Sequence, residues 1–258
     1  LCLAVASCQS FPDSKPGDEV LTDWIRSSAV PLVSVEPGSR GDDMLAFGEM
    51  IGDARLVALG EPTHGNREIF QLKHRMFEYL VREKGFRIFA IEAPFAESED
   101  LNAYVLHGHG SAEEALASLT MWAWDTEEVV ALLDWMRAYN ADTENIEKLQ
   151  VYGFDPQSPE RAARLTMEYL ERVDPGFAAS AGEQIAKLAV PYSDPDQLGW
   201  RPIRPEETND AAKIAADLII ERFEDRKADY VVASSEADWS LHRQYARMVD
   251  AVQGSQLM

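Results

Sequence analysis

The sequence contains little cysteine, and both cysteines lie at one end. Cys2 and Cys8 fall within the first eight positions of a chain of 258 residues. A disulfide framework or a cysteine-based metal site needs cysteines spread through the fold, so neither can be built here. At this length the chain is able to bury a substantial core, as one large domain or two small ones.

Positive charge is scarce as well. Lysine and arginine together number 24 against 45 aspartates and glutamates, which gives a formal net charge of −21 at pH 7. A groove that follows nucleic-acid phosphates needs a concentrated positive field, and the sequence has no run of basic residues. Nucleic acid is therefore excluded as the expected partner, and the acidity promotes solubility and disfavours anionic surfaces.

Several sequence motifs are also missing. There is no Gly-rich phosphate loop and no Gly-x-Ser-x-Gly elbow, so serine, cysteine and threonine nucleophiles have no evident setting. No apolar stretch is long enough to span a bilayer. These absences favour a small-molecule substrate and a mechanism in which the protein activates water.

The first 17 residues resemble a processing segment. Val5-Ala6-Ser7-Cys8 resembles a bacterial lipobox, and the polar, proline-containing stretch from Gln9 to Gly17 is typical of a tether. We predict a signal-peptide remnant whose Cys8 is lipidated, and hence a secreted, periplasmic or cell-envelope protein with membrane attachment through Cys8. The alternative is a leftover apolar stub.

The stretch from Arg55 to Pro94 predicts a βαβ unit. Apolar strands are expected at Arg55–Gly60 and Phe86–Ile91, with a helix over Asn66–Lys84 between them and a third strand at Leu149–Phe154. A crossover of this kind implies parallel pairing. The predicted fold class is α/β, with a parallel sheet core built of βαβ units and flanked by helices.

Helical patterns dominate the rest of the chain. After the third strand they cover 159–173, 177–188, 206–223 and 237–252, and together they predict a large helical C-terminal portion. Three strands are few for a parallel sheet with so many helices, and the last helix runs into the end of the chain without a returning strand. We therefore expect residues 18–258 to be one α/β domain that is incomplete at its C-terminal end.

Carboxylates follow the predicted strands at the point where each strand ends. Glu61 and His64 follow the first strand, Glu92 the second and Asp155 the third. Functional groups of parallel sheets gather at the carboxyl ends of the strands, so we expect these side chains to meet at one edge. A carboxylate beside an imidazole holds one tautomer and suits a general base that deprotonates water.

Other side chains are predicted to support this cluster. Glu68 and Arg75 share one face of the predicted helix. We place Glu68 among the substrate-binding residues, and Arg75 would balance the carboxylates or polarise a carbonyl. The alternative for Arg75 is an ion pair with a nearby acid such as Glu68 or Glu78. His74 lies off that face and is predicted to be a surface residue.

Two tryptophans precede a predicted helix cap on the side of the sheet that carries the carboxylates. Trp122 and Trp124 would fill core or line a cleft, and we place Trp124 among the substrate-binding residues. Asp125 is predicted at the N-cap of the following helix, with Glu128 three residues later.

Several motifs in this order resemble the erythromycin esterase family. They are Leu59–Glu68, Lys73–Arg75, Phe89–Pro94, Trp124–Val129 and Tyr152–Pro159. The likeness is strong from about residue 54 to 161 and extends only by general helical character beyond that range.

The resemblance implies hydrolysis of an ester, classically a macrolide lactone and hence an antibiotic-resistance reaction, by water activated without a metal or other cofactor. His64 matches the general base of the family, Glu61 and Glu92 its active-site carboxylates, and Arg75 its active-site arginine.

Asp155 and Gln157 match a polar corner that shapes the family's site. Family members carry a further histidine-bearing strand end in their second half, similar to Ala-His-Asn-x-His, and this sequence has none. Either that portion has been cut away, which we favour, or this version is impaired.

Two other hypotheses for the function stay open. One is a metal-dependent hydrolase or peptidase in which Glu61, His64, Glu92 and Asp155 hold a divalent ion. The other is a non-catalytic module that holds a ligand in the same cleft.

Overall fold

The computed structural model describes residues 18–39, 42–119, 121–156, 159–186 and 206–254. The predicted lipobox with Cys8, the predicted site residue Gln157 and the proline-containing segment from 190 to 205 lie outside these ranges. Within the described ranges, no helix is long and apolar enough to cross a membrane.

The described residues form helices and two strands. In chain order they are α1 (Asp18–Ser28), α2 (Leu45–Ile51), α3 (Arg67–Lys84), β1 (Ile88–Pro94), α4 (Glu99–His107), α5 (Ala112–Ala117), α6 (Glu127–Ala141), β2 (Gln150–Asp155), α7 (Pro159–Val173), α8 (Pro175–Ala186), α9 (Glu206–Asp225), α10 (Lys227–Ala233) and α11 (Glu236–Gly254). Short 3₁₀ turns at Asp42–Met44 and Trp122–Trp124 precede α2 and α6.

This architecture confirms the predicted fold class. β1 and β2 form a two-stranded parallel sheet, and the helical C-terminal portion runs from α7 to α11. The chain divides into two compact units. The first comprises Leu1–Phe89 and Trp122–Leu149, and the second comprises Ala90–Met121 and Gln150–Met258.

Helix α3 begins and ends where its sequence signals place it. The side chain of Asn66 accepts a hydrogen bond from the backbone N–H of Ile69 at 3.1 Å, which caps the N-terminus. Gly85 ends the helix in the left-handed conformation with φ of 74°, which glycine adopts without steric cost.

The apolar face of α3 builds the core of the first unit. Leu72, Met76 and Leu80 are buried together with Met44 and Phe47. Burying side chains of this size stabilises the fold by roughly 1.5–3 kcal/mol each. The core therefore fixes the orientation of α3, and with it the segment that enters the helix.

The predicted first strand, Arg55–Gly60, is wrong. Within the described residues the sheet contains only β1 and β2. Val57 and Leu59 pack against the core of the first unit, whereas Leu56 is 86% exposed. The alternating apolar residues that predict a strand belong here to an extended segment outside the sheet. One side of this segment packs against a helix.

In the second unit, the two strands approach each other closely at one glycine. A Cβ at Gly153 would lie 2.2 Å from the carbonyl oxygen of Ala93 and 2.7 Å from that of Pro94. The buried hydroxyl of Ser98 accepts the Gly153 N–H at 2.7 Å. Any larger residue at Gly153 would push apart the strands that carry Glu92 and Asp155.

The helices of the C-terminal portion pack around an aromatic core. Tyr169, Leu170, Phe223, Tyr230 and Tyr245 are all buried within it. The predicted helix over 159–173 is confirmed as α7, whereas α10 is an additional helix that the sequence pattern did not indicate.

His74 was predicted at the surface, and this prediction is wrong. The residue is only 4% exposed, and its ring packs against Trp135 of α6 with 5.6 Å between ring centroids. Within the described residues, neither ring nitrogen has a hydrogen-bond partner. Burial, assisted by the positive charge of Arg82, lowers the pKa of His74 from 6.5 to about 4.

We expect His74 to make the protein sensitive to mild acid. Its pKa is lower in the folded than in the unfolded state, so between pH 6.5 and pH 4 the unfolded chain binds a proton that the folded chain does not. Stability is fully present above that window, and about 3 kcal/mol is lost by its lower end. Urea unfolding at a series of pH values measures this slope.

Replacement of His74 by phenylalanine should remove most of the slope, because phenylalanine fills the same space and does not titrate. His109→Phe, which changes an exposed loop histidine, is the matched control and should leave the slope unchanged. Equal slopes for the wild type and His74→Phe would show that another group carries the acid sensitivity.

Candidate active site

The imidazole of His64 is held by a carboxylate from its own turn. The turn precedes α3, and Gly65 adopts φ of 70° so that the chain can bend into the helix. Nδ1 of His64 is hydrogen-bonded to Oε1 of Glu61. Because an ionised carboxylate only accepts, Nδ1 carries the hydrogen and Nε2 keeps its lone pair.

His64 is accessible, whereas its partner is not. The His64 side chain is 47% exposed, and that of Glu61 is 14% exposed. The sequence analysis predicted a carboxylate beside this imidazole, and the structure brings the two together. The imidazole is thus in contact with solvent.

Lys73 completes this cluster from α3. Its ammonium group donates to Oε2 of Glu61 at 2.7 Å, and its side chain is 15% exposed. Burial raises the pKa of Glu61, but hydrogen bonds from Lys73 and His64 together outweigh that effect, so the pKa lies below its ordinary value. Glu61 is therefore ionised at neutral pH.

Sequence reasoning gave no role to Lys73. The residue lies twelve positions beyond Glu61, inside α3 rather than in the turn, so no local spacing rule pairs the two. Its position one helical turn from Phe70, whose ring centroid lies 5.5 Å from the ammonium group, places it on the side of α3 that faces the turn. A basic residue on that side of the helix was the sequence feature that could have indicated the contact with Glu61.

Two indoles contact the imidazole of His64. The Trp122 ring lies 5.9 Å from it at an interplanar angle of 88°, and the Trp124 ring lies 6.2 Å from it at 69°. Trp124 is buried and packs on Phe70 at 5.8 Å. Trp124, which was predicted to bind substrate, therefore packs in the core and contacts the imidazole of His64 from there. Trp122 is the more accessible of the two tryptophans.

The first turn of α6 fixes the tryptophan segment. The N-cap of α6 is Thr126, whose hydroxyl accepts the Val129 N–H at 3.3 Å, so the predicted N-cap at Asp125 is wrong by one residue. Arg67, the first residue of α3, forms an ion pair with Glu128 at 3.3 Å. This pair links the start of α3 to the start of α6, beside the two turns that carry His64 and Trp122.

Arg75 is placed away from solvent and is fully engaged. It is 2% exposed and forms a bidentate pair with Asp43, with both N–O distances at 2.8 Å. It also donates to the carbonyl oxygens of Ser34 and, at 3.2 Å, Ser39. The Arg75 guanidinium lowers the pKa of Asp43 to about 2.

The alternative of an ion pair with a nearby acid therefore fits the structure, although the acid is Asp43 rather than Glu68 or Glu78. The predicted contact of Arg75 with a reacting group stays a prediction, and its bonds favour a structural role. Glu68 lies exposed in the first turn of α3.

The two remaining carboxylates lie in the second unit. Glu92 is exposed and lies inside β1, which continues to Pro94, three residues beyond the predicted strand end at Ile91. Asp155 is the last residue of β2, as predicted, and its carbonyl oxygen accepts the Phe95 N–H at 3.1 Å. That Glu92 and Asp155 share one hollow with His64 stays a prediction.

The described residues do not include a group of three or more histidine, cysteine, aspartate or glutamate side chains placed to hold a metal ion.

Comparison with known proteins assigns the chain to a family. The family model described as erythromycin esterase matches residues 81–255. The chain belongs to the erythromycin esterase family. The predicted resemblance is thereby confirmed over a longer stretch than the motifs covered.

Two relatives illustrate the match. The chain is 32% identical over 133 residues to erythromycin esterase type II of Escherichia coli, which covers 52% of this chain and 31% of that protein. It is 30% identical over 177 residues to YbfO of Bacillus subtilis strain 168, a protein named as a hydrolase, with 68% and 38% covered. The chain thus spans about a third of the length of these relatives.

Solved structures share the fold of this erythromycin esterase family member. A Bacillus cereus protein superposes with a TM-score of 0.77 at 28% identity, covering 93% of this chain and 57% of the other. A succinoglycan biosynthesis protein gives 0.71 at 28% identity, with 91% and 58% covered. A mutant of the erythromycin esterase EreC in its open conformation gives 0.64 at 15% identity, with 85% and 54% covered, and supports the fold alone.

Proposed function

We propose that this protein hydrolyses a carboxylic ester or lactone with water that His64 activates. The observation that carries the proposal is the chain of hydrogen bonds from Lys73 through Glu61 to Nδ1 of His64, which leaves Nε2 of the half-exposed imidazole as the base. The names of the two relatives, an esterase and a hydrolase, support the same class of reaction.

The proposed reaction uses His64 first as a base and then as an acid. Nε2 takes a proton from water while the water oxygen attacks the ester carbonyl carbon, giving a tetrahedral oxyanion and an imidazolium. The imidazolium then donates that proton to the leaving alkoxide as the carbon–oxygen bond breaks. Glu61 remains ionised throughout and stabilises the imidazolium, and Lys73 keeps Glu61 ionised.

The start of α3 contributes to the same reaction. The helix begins at Arg67, three residues after His64. The first turn of a helix carries unpaired N–H groups and the positive end of the helix dipole. An oxyanion that forms beside His64 is therefore stabilised by this helix end.

A macrolactone is the leading substrate, because the E. coli relative is named an erythromycin esterase. The test is incubation of the purified protein with a series of alkyl esters and lactones, one of them a macrolactone, followed by mass spectrometry for the addition of water. Turnover that survives a chelator supports the proposal. Turnover that chelation abolishes and a divalent metal restores would favour the metal-dependent reading.

The same panel of esters and lactones tests the alternative hypothesis that the protein is a non-catalytic binding module. A ligand that raises the melting temperature without being hydrolysed would support binding alone. Absence of both turnover and heat protection across the panel would contradict the proposed function.

Lys73→Met should move the acid limb of the activity profile to higher pH. The hydrogen bond from Lys73 lowers the pKa of Glu61, so its removal raises that pKa, and Glu61 becomes protonated at a higher pH than in the wild type. Because catalysis needs the ionised carboxylate, activity is lost earlier as the pH falls. We therefore expect the acid limb of kcat/KM to lie at higher pH in Lys73→Met than in the wild type.

Lys84→Met is the matched control, since Lys84 is an exposed lysine in the last turn of the same helix. Its pH profile should coincide with that of the wild type. An unchanged profile for Lys73→Met would show that Lys73 does not set the ionisation of Glu61 during turnover.

A further inference from the structure

Trp122 is unusually exposed for its size. It is 75% exposed, whereas Trp24 is 39% exposed and Trp124 and Trp239 are below 10%. Leaving an indole in water forgoes the gain of burial, which amounts to several kcal/mol for a side chain of 150–250 Å² on the general scale. The exposure is explained if another molecule covers the ring.

The backbone beneath this indole is fixed. Trp122 begins the 3₁₀ turn, and its carbonyl oxygen accepts the Asp125 N–H at 3.3 Å. The next turn of the chain is capped by Thr126, and Arg67 ties the start of α6 to the start of α3. The ring is thus presented to solvent from a turn that hydrogen bonds and an ion pair hold on its C-terminal side.

The indole lies beside the proposed base. The centroids of Trp122 and His64 are 5.9 Å apart, with the two ring planes nearly perpendicular. Because the two rings are neighbours and the indole is exposed, a flat group stacked on the indole would lie beside the imidazole. An ester attached to that group would reach the base.

The charge around the tryptophan segment determines which kind of substrate ring can bind there. Glu127 lies exposed in the first turn of α6, next to the tryptophan segment, and the whole chain carries a net charge of −21, whereas Glu128 is paired with Arg67. A negatively charged group would be repelled from this surface, whereas a neutral ring would not.

We infer that Trp122 determines specificity by stacking a neutral apolar ring of the substrate and so presenting the adjacent ester to His64. The inference rests on the proposed hydrolysis and names its substrate class: uncharged esters that carry a ring next to the scissile bond. Trp122 takes no part in proton transfer, so its contribution is to substrate selection.

The test compares two esters that differ in the ring. Benzyl acetate and propyl acetate share the acyl group, and the ratio of their kcat/KM values isolates the ring. We expect Trp122→Ala to lower this ratio about tenfold, the effect of losing one stacked ring together with its buried area. Trp122→Phe should keep the ratio within about twofold, because phenylalanine still stacks.

Trp24→Ala is the matched control, because it removes a partly exposed tryptophan of α1. Its ratio should equal that of the wild type. A Trp122→Ala ratio equal to that of the wild type would overturn the inference while leaving hydrolysis intact.

A second readout does not depend on turnover. Benzyl methyl ether cannot be hydrolysed, and saturation-transfer NMR reports its ring protons when they contact the protein. Contact in the wild type and in Trp24→Ala, but at least about tenfold weaker binding in Trp122→Ala, supports the stacking surface even if no ester is hydrolysed. Equal binding by all three proteins would overturn it.

Discussion

The His64→Ala variant should lose hydrolysis of any ester that the wild type cleaves, with kcat/KM falling by about 10²–10⁴-fold. This is the range that a positioned general base contributes. Glu61 is a poor replacement, because its lowered pKa makes the carboxylate a weak base and Lys73 already binds one of its oxygens. The measurement is the initial rate of water addition under saturating and limiting substrate, so that kcat and KM are separated.

Two further variants separate the contribution of the base from that of the carboxylate charge. His64→Asn keeps a donor toward Glu61 and removes the base, so it should be as inactive as His64→Ala. Glu61→Gln keeps the shape but not the charge, and we expect a smaller loss of about 10–100-fold. His109→Ala, at an exposed loop position, should retain full activity.

Stability provides the necessary check on these variants. His64 is about half exposed, so its replacement should change the free energy of unfolding by no more than about 0.5–1 kcal/mol. A His64→Ala protein that folds normally and still hydrolyses the ester at the wild-type rate would contradict the proposed mechanism.

The pairing of Glu61 with His64 could be predicted because it is local. Three residues across a tight turn bring a carboxylate and an imidazole together almost regardless of the rest of the fold. The contact with Lys73 could not be predicted in this way, because it depends on the angle at which the turn enters α3. That angle is set by the packing of Leu72, Met76 and Leu80 in the core.

Helix ends were predictable for a similar reason. The capping box of Ser111 and Glu114 and the left-handed Gly85 are short-range features, and both are present in the structure. His74 shows the limit of such patterns. The apolar stripe of α3 indicated one buried face, but Trp135 of α6 covers the neighbouring face as well, and only the tertiary structure reveals that contact.

The Arg75→Met variant should be strongly destabilised, by about 3–5 kcal/mol. The substitution leaves the carboxylate of Asp43, which is 3% exposed, without its bidentate partner and leaves the carbonyl oxygens of Ser34 and Ser39 without a donor. Breaking one half of a buried ion pair costs more than the pair contributes, because a charge remains in a poorly solvated place. Urea unfolding at neutral pH gives the free-energy difference.

The acid dependence should change in the same variant. Arg75 depresses the pKa of Asp43 from 3.8 to about 2, so the stability that this shift contributes is present above pH 3.8 and is lost as the pH falls toward 2. Without Arg75 the folded-state pKa of Asp43 rises, and this acid-dependent loss should disappear. Comparing unfolding free energies at pH 5 and pH 3 measures the difference.

A second substitution separates the ion pair from the rest of the contacts. In Arg75→Met with Asp43→Leu no charge remains buried, so the double variant should be more stable than Arg75→Met alone. Arg82→Met, on the same helix but partly exposed, should cost no more than about 1 kcal/mol.

These variants also decide between the two roles of Arg75. If Arg75→Met unfolds easily and the double variant regains both stability and turnover, the arginine acts by holding Asp43 and the segment from Ser34 to Ser39 against α3. If Arg75→Met keeps wild-type stability and loses turnover, the structural role is wrong and the predicted contact with the reacting group is supported. The bonds that Arg75 makes in the structure favour the first result, because its donors already point to protein oxygens.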